Sequence, residues 1–443
     1  GIFSHCQFSL PIKEPTKKII EKPRLIDRQT QQDIRPIIET LIEANVIEES
    51  SGVSNHVVNS LPVQKPPSNV ISSKADNFIR RVTTSERVPR TRLCVDSRSL
   101  NARLSPQPVQ TTPIINKEEF KNCYFSATDV SNMYFHLRLD SFSQSFTGFW
   151  NPLDNQVVMK FLTLSQGMSC SPAFAYQSMK MTFSKDIAAQ FIRNYSPKGD
   201  WNMTITKLLE TVLYYMDDIL IRTSKSLGID YHLYALKFAF FALKIADFRI
   251  SRKKTEILKE HITYLGYKIS ANWICMPPEK QSALVSGRIP KNLAELSSRV
   301  SQVLYFSKFQ PKLSQFLIPL KETINSDVFS WPKVNQESYE NIRCLISHAI
   351  RNYTADPTRP VFLESDSSHV SCDWLLFQLE NEGIRPLACD SKIFSQSDRS
   401  KSPIHKELIS VLQAITKNEF FIRNFPNKVI ALVDASSLAL LRR

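Results

Sequence analysis

Two adjacent carboxylates interrupt a run that would otherwise read as a buried hairpin: Thr211-Val-Leu-Tyr-Tyr-Met is followed by Asp217-Asp218 and then Ile219-Leu220-Ile221. Leaving ionised carboxylates unpaired in apolar surroundings is strongly unfavourable. Such a pair therefore calls for a cation, and hard Mg²⁺ prefers carboxylate oxygens. Aspartate is also a common turn residue, and on the local sequence alone an exposed Asp-Asp turn is the commoner reading. A third acid changes that weighing. Tyr124-Phe-Ser-Ala-Thr-Asp129-Val is another apolar strand ending in a carboxylate, with Tyr134-Phe135 just beyond it. Three acids at strand ends suit a two-metal site, which shares oxygen ligands between ions about 3.5 to 4 Å apart.

At 443 residues the chain exceeds one hydrophobic core, so two to four structural units are expected. A formal net charge of +14 favours a polyanionic partner, nucleic acid before an acidic membrane surface, although a merely soluble basic protein has the same balance. The 8 cysteines form no CxxC pair and no Cys/His spacing suited to zinc, and read as reduced intracellular thiols. With only 9 glycines and no internal repeat, glycine-rich nucleotide loops are excluded. The longest apolar stretch, Tyr234 to Phe248, is broken by Lys237, Lys244 and Asp247, which suits a core helix and not a membrane span. No signal peptide opens the chain.

Apolar residues at helical spacing (Ile34, Ile37, Ile38, Leu41, Ile42) predict an amphipathic helix over Gln31 to Glu49, and a strand-like run follows from His56 to Val63. Pro66 to Pro89 has the composition of a mobile basic loop. Runs rich in β-branched and aromatic residues predict strands at Arg92 to Val95, Tyr124 to Val130, Val157 to Leu164 and Val212 to Ile221. Ser171 to Phe183 and Tyr231 to Asp247 read as helices. Asn292 to Leu320 reads as two helices broken around Gln310-Pro311, and a second basic α/β segment begins near Pro360. The class is α+β.

Tyr215-Met216-Asp217-Asp218 resembles the signature of retroviral and LTR-retrotransposon reverse transcriptases, and neighbouring blocks follow in that family's order. Arg92-Leu-Cys-Val-Asp96-Ser-Arg98-Ser-Leu-Asn101 resembles its finger-strand block. Thr128-Asp129-Val-Ser-Asn-Met-Tyr134-Phe135 resembles its first metal block, and Leu164-Ser-Gln166-Gly167-Met-Ser-Cys-Ser-Pro172-Ala its nucleotide-adjacent block. Tyr264-Leu265-Gly266-Tyr267 resembles the primer-grip turn, and Leu304-Tyr305-Phe306 through Pro311 and Leu313-Ser314 resemble the thumb. The resemblance implies that Asp129, Asp217 and Asp218 hold two Mg²⁺ ions, with the main-chain carbonyl of Val130 as a further ligand and Mn²⁺ able to substitute. Arg92 would then contact the incoming triphosphate, with Lys65 as a second phosphate contact. Tyr134 would be an aromatic gate that collides with a ribose 2′-hydroxyl, and Gln166 would line the same pocket. As isolated residues, Arg92 reads as a surface arginine and Tyr134 as a core aromatic.

A second acidic set follows: Val361-Phe-Leu-Glu-Ser-Asp366 ends a strand, Lys406-Glu407-Leu408 lies on a helix, and Val429-Ile-Ala-Leu-Val-Asp434 ends another strand. Strand acid, helix acid, strand acid suits two-metal phosphodiester hydrolysis, and the segment resembles the ribonuclease H domain of the same elements. Ser371 and Asp373 depart from that pattern, standing where the family usually has glycines, and the chain stops at Arg443 before a fourth acid.

The resemblance therefore implies a right-hand polymerase, with fingers and palm interleaved over 1–270 and a helical thumb over 271–350. A ribonuclease H-like α/β domain, truncated, follows over 351–443. The expected activity is RNA-directed DNA synthesis with ribonuclease H cleavage of RNA/DNA hybrids, Mg²⁺ serving both sites. Expected partners are an RNA template, a DNA primer, dNTPs and other segments of a Pol polyprotein, with a dimer left open and no membrane. The expected location is a cytoplasmic virus-like particle. Two readings stay open beside this one: a domesticated retroelement protein that binds nucleic acid without catalysis, and a ribonuclease H-like remnant that only grips the hybrid.

Overall fold

Asp27 sets the start of the first long helix, Arg28–Glu43, by accepting the backbone N–H of Thr30 on its carboxylate at 2.9 Å. The computed structural model describes residues 3–52, 54–64, 91–109, 115–195, 204–326, 328–381 and 383–433. The helix stops earlier than its apolar spacing predicts. Asn45 takes a left-handed φ of +55°, which ends the helix, and the β-branched pair Val46-Ile47 turns inward to begin a strand.

The chain then divides into two compact units, 1–113, 126–221 and 229–256 against 114–125, 222–228 and 257–443. In chain order the strands of the first part are β1 (Ile19–Ile20), β2 (Ile47–Glu49), β3 (His56–Val58), β4 (Ser60–Gln64), β5 (Thr91–Val95), β6 (Cys123–Asp129), β7 (Gly148–Asn151), β8 (Asp154–Phe161), β9 (Val212–Tyr215) and β10 (Asp218–Ser224). β11 (Glu256–Lys259) comes next.

In the first unit β1, β3, β7, β8 and β2 form one sheet in that order. The helix Arg28–Glu43 packs against it through Ile34 and Ile38, which share a core with Phe149, Met159 and Phe161. The run His56 to Val63 is two strands and not one, because Asn59 is drawn aside. Its side chain accepts from Arg24 N at 2.8 Å and donates to the Lys22 carbonyl at 3.0 Å, which frees β4 to pair with β5 instead. β6, β10 and β9 are neighbours in a third sheet. Beneath them the helices Ser171–Thr182, Lys185–Asn194 and Gly228–Ile245 supply Met179, Phe191, Phe238 and Ala242 to a core shared with Ile219 and Ile221. The stretch Pro66 to Pro89 lies outside the described residues.

In the second unit β12 (His261–Tyr264), β13 (Tyr267–Ser270), β14 (Trp273–Cys275) and β15 (Asn352–Tyr353) make an antiparallel sheet. Among the described residues four α-helices lie between β14 and β15 in sequence: Pro278–Ser286, Leu293–Tyr305, Ser314–Asn325 and Lys333–Ser347. The expected break around Gln310-Pro311 falls between the second and third of them. The last sheet has the order β18 (Gly383–Ile393), β17 (Ser371–Glu380), β16 (Val361–Ser367), β19 (Val429–Leu432), with β16 and β19 parallel and the other pairs antiparallel. The helix Pro403–Lys417 contributes Ala414 to a core with Val361, Leu363, Trp374 and Leu376.

Candidate active site

Asp217 stands at the tip of the β9–β10 hairpin. Tyr215 pairs with Asp218, which leaves Met216-Asp217 as a two-residue turn with Met216 at φ +54°. Two-residue hairpin turns demand positive φ, which a methionine adopts less readily than glycine, so the tip is held by its surroundings. Val130 supplies part of that hold: its N–H donates to the Asp217 carbonyl at 2.9 Å, tying the end of β6 to the hairpin tip. On the other side Ser251 N donates to the Asp129 carbonyl at 2.9 Å, and Ser131 N to the Arg249 carbonyl at 2.8 Å. Neither bond uses the Val130 carbonyl.

The three acids sense one another. Burial pushes the Asp217 carboxyl above its ordinary range, and the neighbouring Asp129 carboxylate pushes the same way. Asp218, though its side chain reaches solvent, is raised first by loss of hydration and then by Asp217 and Asp129. This is the electrostatic mark of carboxylates gathered to share a positive charge. Part of that charge is supplied by Lys254, whose Nζ lies 2.9 Å from Asp129 Oδ2; the hydrogen bond to Asp129 holds the ammonium above its usual pKa. Among the described residues no three His, Cys, Asp or Glu side chains close around a single metal position. The donor set of three carboxylates with depleted hydration still fits a hard divalent cation, which takes oxygen ligands. Lys254 carries no sequence signal, being one of three consecutive basic residues, Arg252-Lys253-Lys254.

Tyr134 lies in a short 3-10 turn, Met133–His136, packed on the same core. Its hydroxyl is held protonated by burial and then by the charge of Asp217, so it stands within reach of the acids' field. Gln166 is exposed in the turn before Ser171–Thr182. That turn is fastened by Asn101, which donates to the Gly167 carbonyl at 2.9 Å and accepts from Ser169 N at 2.8 Å. Gly167 has φ +101°, and a Cβ there would sit 3.3 Å from Ser97 Oγ, so the close approach of the two blocks requires glycine. Arg92 lies in β5, but its side chain falls outside the described residues, as do Lys65 and Asp434.

In the second unit Leu265-Gly266 form the β12–β13 turn, and Tyr267 opens β13 opposite Tyr264. The other acidic set is only partly assembled. Ser367 Oγ donates to Glu407 Oε1 at 2.5 Å, while Asp366, its neighbour in β16, lies opposite Asp373 of β17 and 3.9 Å from Lys312 Nζ. Asp366 and Ser367 project to opposite faces of β16, and it is Ser367 that meets Glu407. Asp373, the residue in place of a glycine, is buried, and loss of hydration raises its carboxyl to about 6. It accepts the Lys312 N–H at 2.9 Å.

Residues 74–269 match the family model for reverse transcriptase (RNA-dependent DNA polymerase), and residues 331–430 that for the RNase H-like domain found in reverse transcriptase. The Tf2-3 transposon polyprotein of Schizosaccharomyces pombe is 25% identical over 373 residues, covering 83% of this chain and 26% of the relative. A putative enzymatic polyprotein of Cassava vein mosaic virus is 23% identical over 429 residues, covering 93% of this chain and 58% of the relative. The chain thus spans about a quarter of the fission yeast polyprotein. Among solved structures, foamy viral protease-reverse transcriptase in complex with dsDNA matches with a TM-score of 0.66 at 19% identity, covering 100% of this chain and 83% of that one. The same protein in complex with an RNA/DNA hybrid matches with a TM-score of 0.64 at 20% identity, covering 97% of this chain and 52% of that one. These likenesses give the fold: polymerase followed by a ribonuclease H-like domain.

Proposed function

Because the chain joins a reverse transcriptase domain to a ribonuclease H-like domain, as retroelement polyproteins do, we propose that it is an RNA-directed DNA polymerase. It extends a DNA primer on RNA or DNA templates. The observation that carries this reading is the convergence of Asp129, Asp217 and Asp218, tied together through Val130 and electrically coupled. Domains of these two kinds use divalent metal ions. Here Asp129, Asp217, Asp218 and the Val130 carbonyl are the residues to hold two, Mg²⁺ or Mn²⁺. When bound, such ions activate the primer 3′-hydroxyl and stabilise the leaving pyrophosphate.

The chain's own groups do the rest. Tyr134 excludes a 2′-hydroxyl, Gln166 lines that pocket, and Arg92 and Lys65 meet the triphosphate. Leu265, Gly266 and Tyr267 steady the primer end. The functional division is fingers and palm over 1–270, thumb over 271–350 and ribonuclease H-like domain over 351–443. An RNA/DNA hybrid bound in the foamy viral structure and a net charge of +14 support a cleft that tracks phosphate backbones. The polyprotein relatives support work beside other Pol segments; a cytoplasmic virus-like particle is the proposed location, with a dimer left open. No helix among the described residues is long and apolar enough to cross a membrane.

For the second site we propose hydrolysis of the RNA strand by Asp366, Glu407 and Asp434 with two further metal ions. The placement of Glu407 against Ser367 favours a second reading, a domain that grips the hybrid without cutting it. One experiment separates these. Primer extension on RNA with Mg²⁺ should fall on the order of 10³-fold in Asp217→Asn, the scale of lost preorganised electrostatic stabilisation; equal incorporation by variant and wild type refutes the polymerase. Cleavage of labelled hybrid should vanish in Asp366→Asn, and if the wild type binds hybrid but never cuts it, the gripping reading stands.

A further inference from the structure

The Leu265-Gly266 turn is a two-residue hairpin turn of the kind that requires positive φ at both positions. Both residues have positive φ, +47° and +74°; glycine accepts this readily, and leucine does not. What holds the turn comes from elsewhere in the same unit. Tyr305, the last residue of Leu293–Tyr305, donates its hydroxyl to the Leu265 carbonyl. Its ring stacks on Tyr267 with centroids 4.9 Å apart and planes 13° from parallel. Its Cε1 lies 3.5 Å from the point where a Cβ on Gly266 would be, so the ring sits directly over Gly266, whose φ of +74° is what calls for glycine there. Tyr267 answers by donating its own hydroxyl to the Tyr305 carbonyl at 3.3 Å, and Lys308 Nζ lies 3.7 Å from the centre of the Tyr267 ring. The Lys308 carbonyl in turn accepts from Asn352 Nδ2 at 2.8 Å.

We propose that Tyr305 is the positioning residue of this turn: it sets the strained conformation of Leu265-Gly266 from the thumb helix, so that turn and helix move as one piece and the primer end follows the thumb. The inference rests on the primer-grip reading of Leu265 to Tyr267 for its consequence in synthesis. The link between Tyr305 and the turn stands on geometry alone. Leucine in the left-handed region is the strained position of this two-residue turn. The Tyr305 hydroxyl on the Leu265 carbonyl and the ring over Gly266 hold it there.

Tyr305→Phe in the full chain tests this, since it keeps the stack and removes only the hydroxyl. Hydrogen exchange of amides 262–269 should quicken about tenfold, the scale of one net hydrogen bond, while amides 361–376 keep their rates. Tyr339→Phe is the control: it loses a hydroxyl bond to the Arg288 carbonyl among the same helices and should leave 262–269 unchanged. In extension assays Tyr305→Phe should lower kcat about tenfold, with KM for dNTP and Kd for the duplex within about twofold of wild type. Unchanged exchange in Tyr305→Phe overturns the proposal, as does equal quickening in Tyr339→Phe. Quickened exchange with normal kcat overturns the claim that the primer end follows the turn. If the wild type extends no primer yet the exchange result holds, the polymerase reading fails and the link between Tyr305 and the turn survives.

Discussion

Single residues set the chemistry by what surrounds them. Burial, and then the charge of Asp217, raise the Tyr134 hydroxyl above its ordinary pKa, and its ring packs on the core. Tyr134→Ala should lower the preference for deoxynucleotides over ribonucleotides about 10- to 100-fold, read as the ratio of kcat/KM for matched pairs; an unchanged ratio removes the gate role. His56 illustrates the opposite use of burial. It is fully enclosed, its Nδ1 lies 3.0 Å from Arg103 Nη1, and its Nε2 lies 3.1 Å from Ser99 Oγ. Burial, and then Arg103, hold its pKa down at about 4 against the usual 6.5. The unfolded chain therefore takes up the proton first as pH falls. Stability is complete above pH 6.5 and lost between 6.5 and 4, by on the order of 3 kcal/mol. The urea midpoint should drop across that window, and less so in His56→Gln. Some drop should remain, because His232 is buried and held down at about 4 in the same way.

At the scale of elements, the turns at Gly167 and at Leu265-Gly266 are each fastened by a residue far away in sequence. Asn101→Ala should release the Gly167 to Ser169 turn and raise KM for dNTP about tenfold, while kcat changes less, since two hydrogen bonds to the turn are lost and no acid moves. An equal fall in kcat with KM constant would place Asn101 in the chemistry instead. The acids were legible in the sequence because a carboxylate inside an apolar run has few explanations. The Asn101 clamp was not, although Asn101 closes a recognised block, because a hydrogen bond 66 residues away has no spacing to read. Similarly, the apolar series from Ile34 continues through Val46 and Ile47 and predicts helix to Glu49; only the left-handed Asn45 shows where the series changes element. In the second acidic set, Asp366 and Glu407 were correctly placed on a strand and a helix. Which face of β16 each would meet depends on strand register, and a chain read in one dimension does not show it.

For the whole molecule, order along the chain proved more informative than composition. The net charge of +14 is compatible with many partners, whereas six blocks in sequence specify an architecture that the two family matches and the foamy viral fold share. The two units keep separate cores, each built by strands and helices drawn from distant parts of the chain. The ammonium of Lys254 against Asp129 adds one consequence for the molecule as a material. The fold carries its own tethered counterion, so a metal loaded at this place would exchange with a cation already beside Asp129. Chelation should therefore silence synthesis without melting the protein. With EDTA, primer extension should vanish while the thermal midpoint stays within about 2 °C, unlike metal-nucleated domains that unfold when stripped. A large drop in that midpoint would show that Lys254 does not balance the acids.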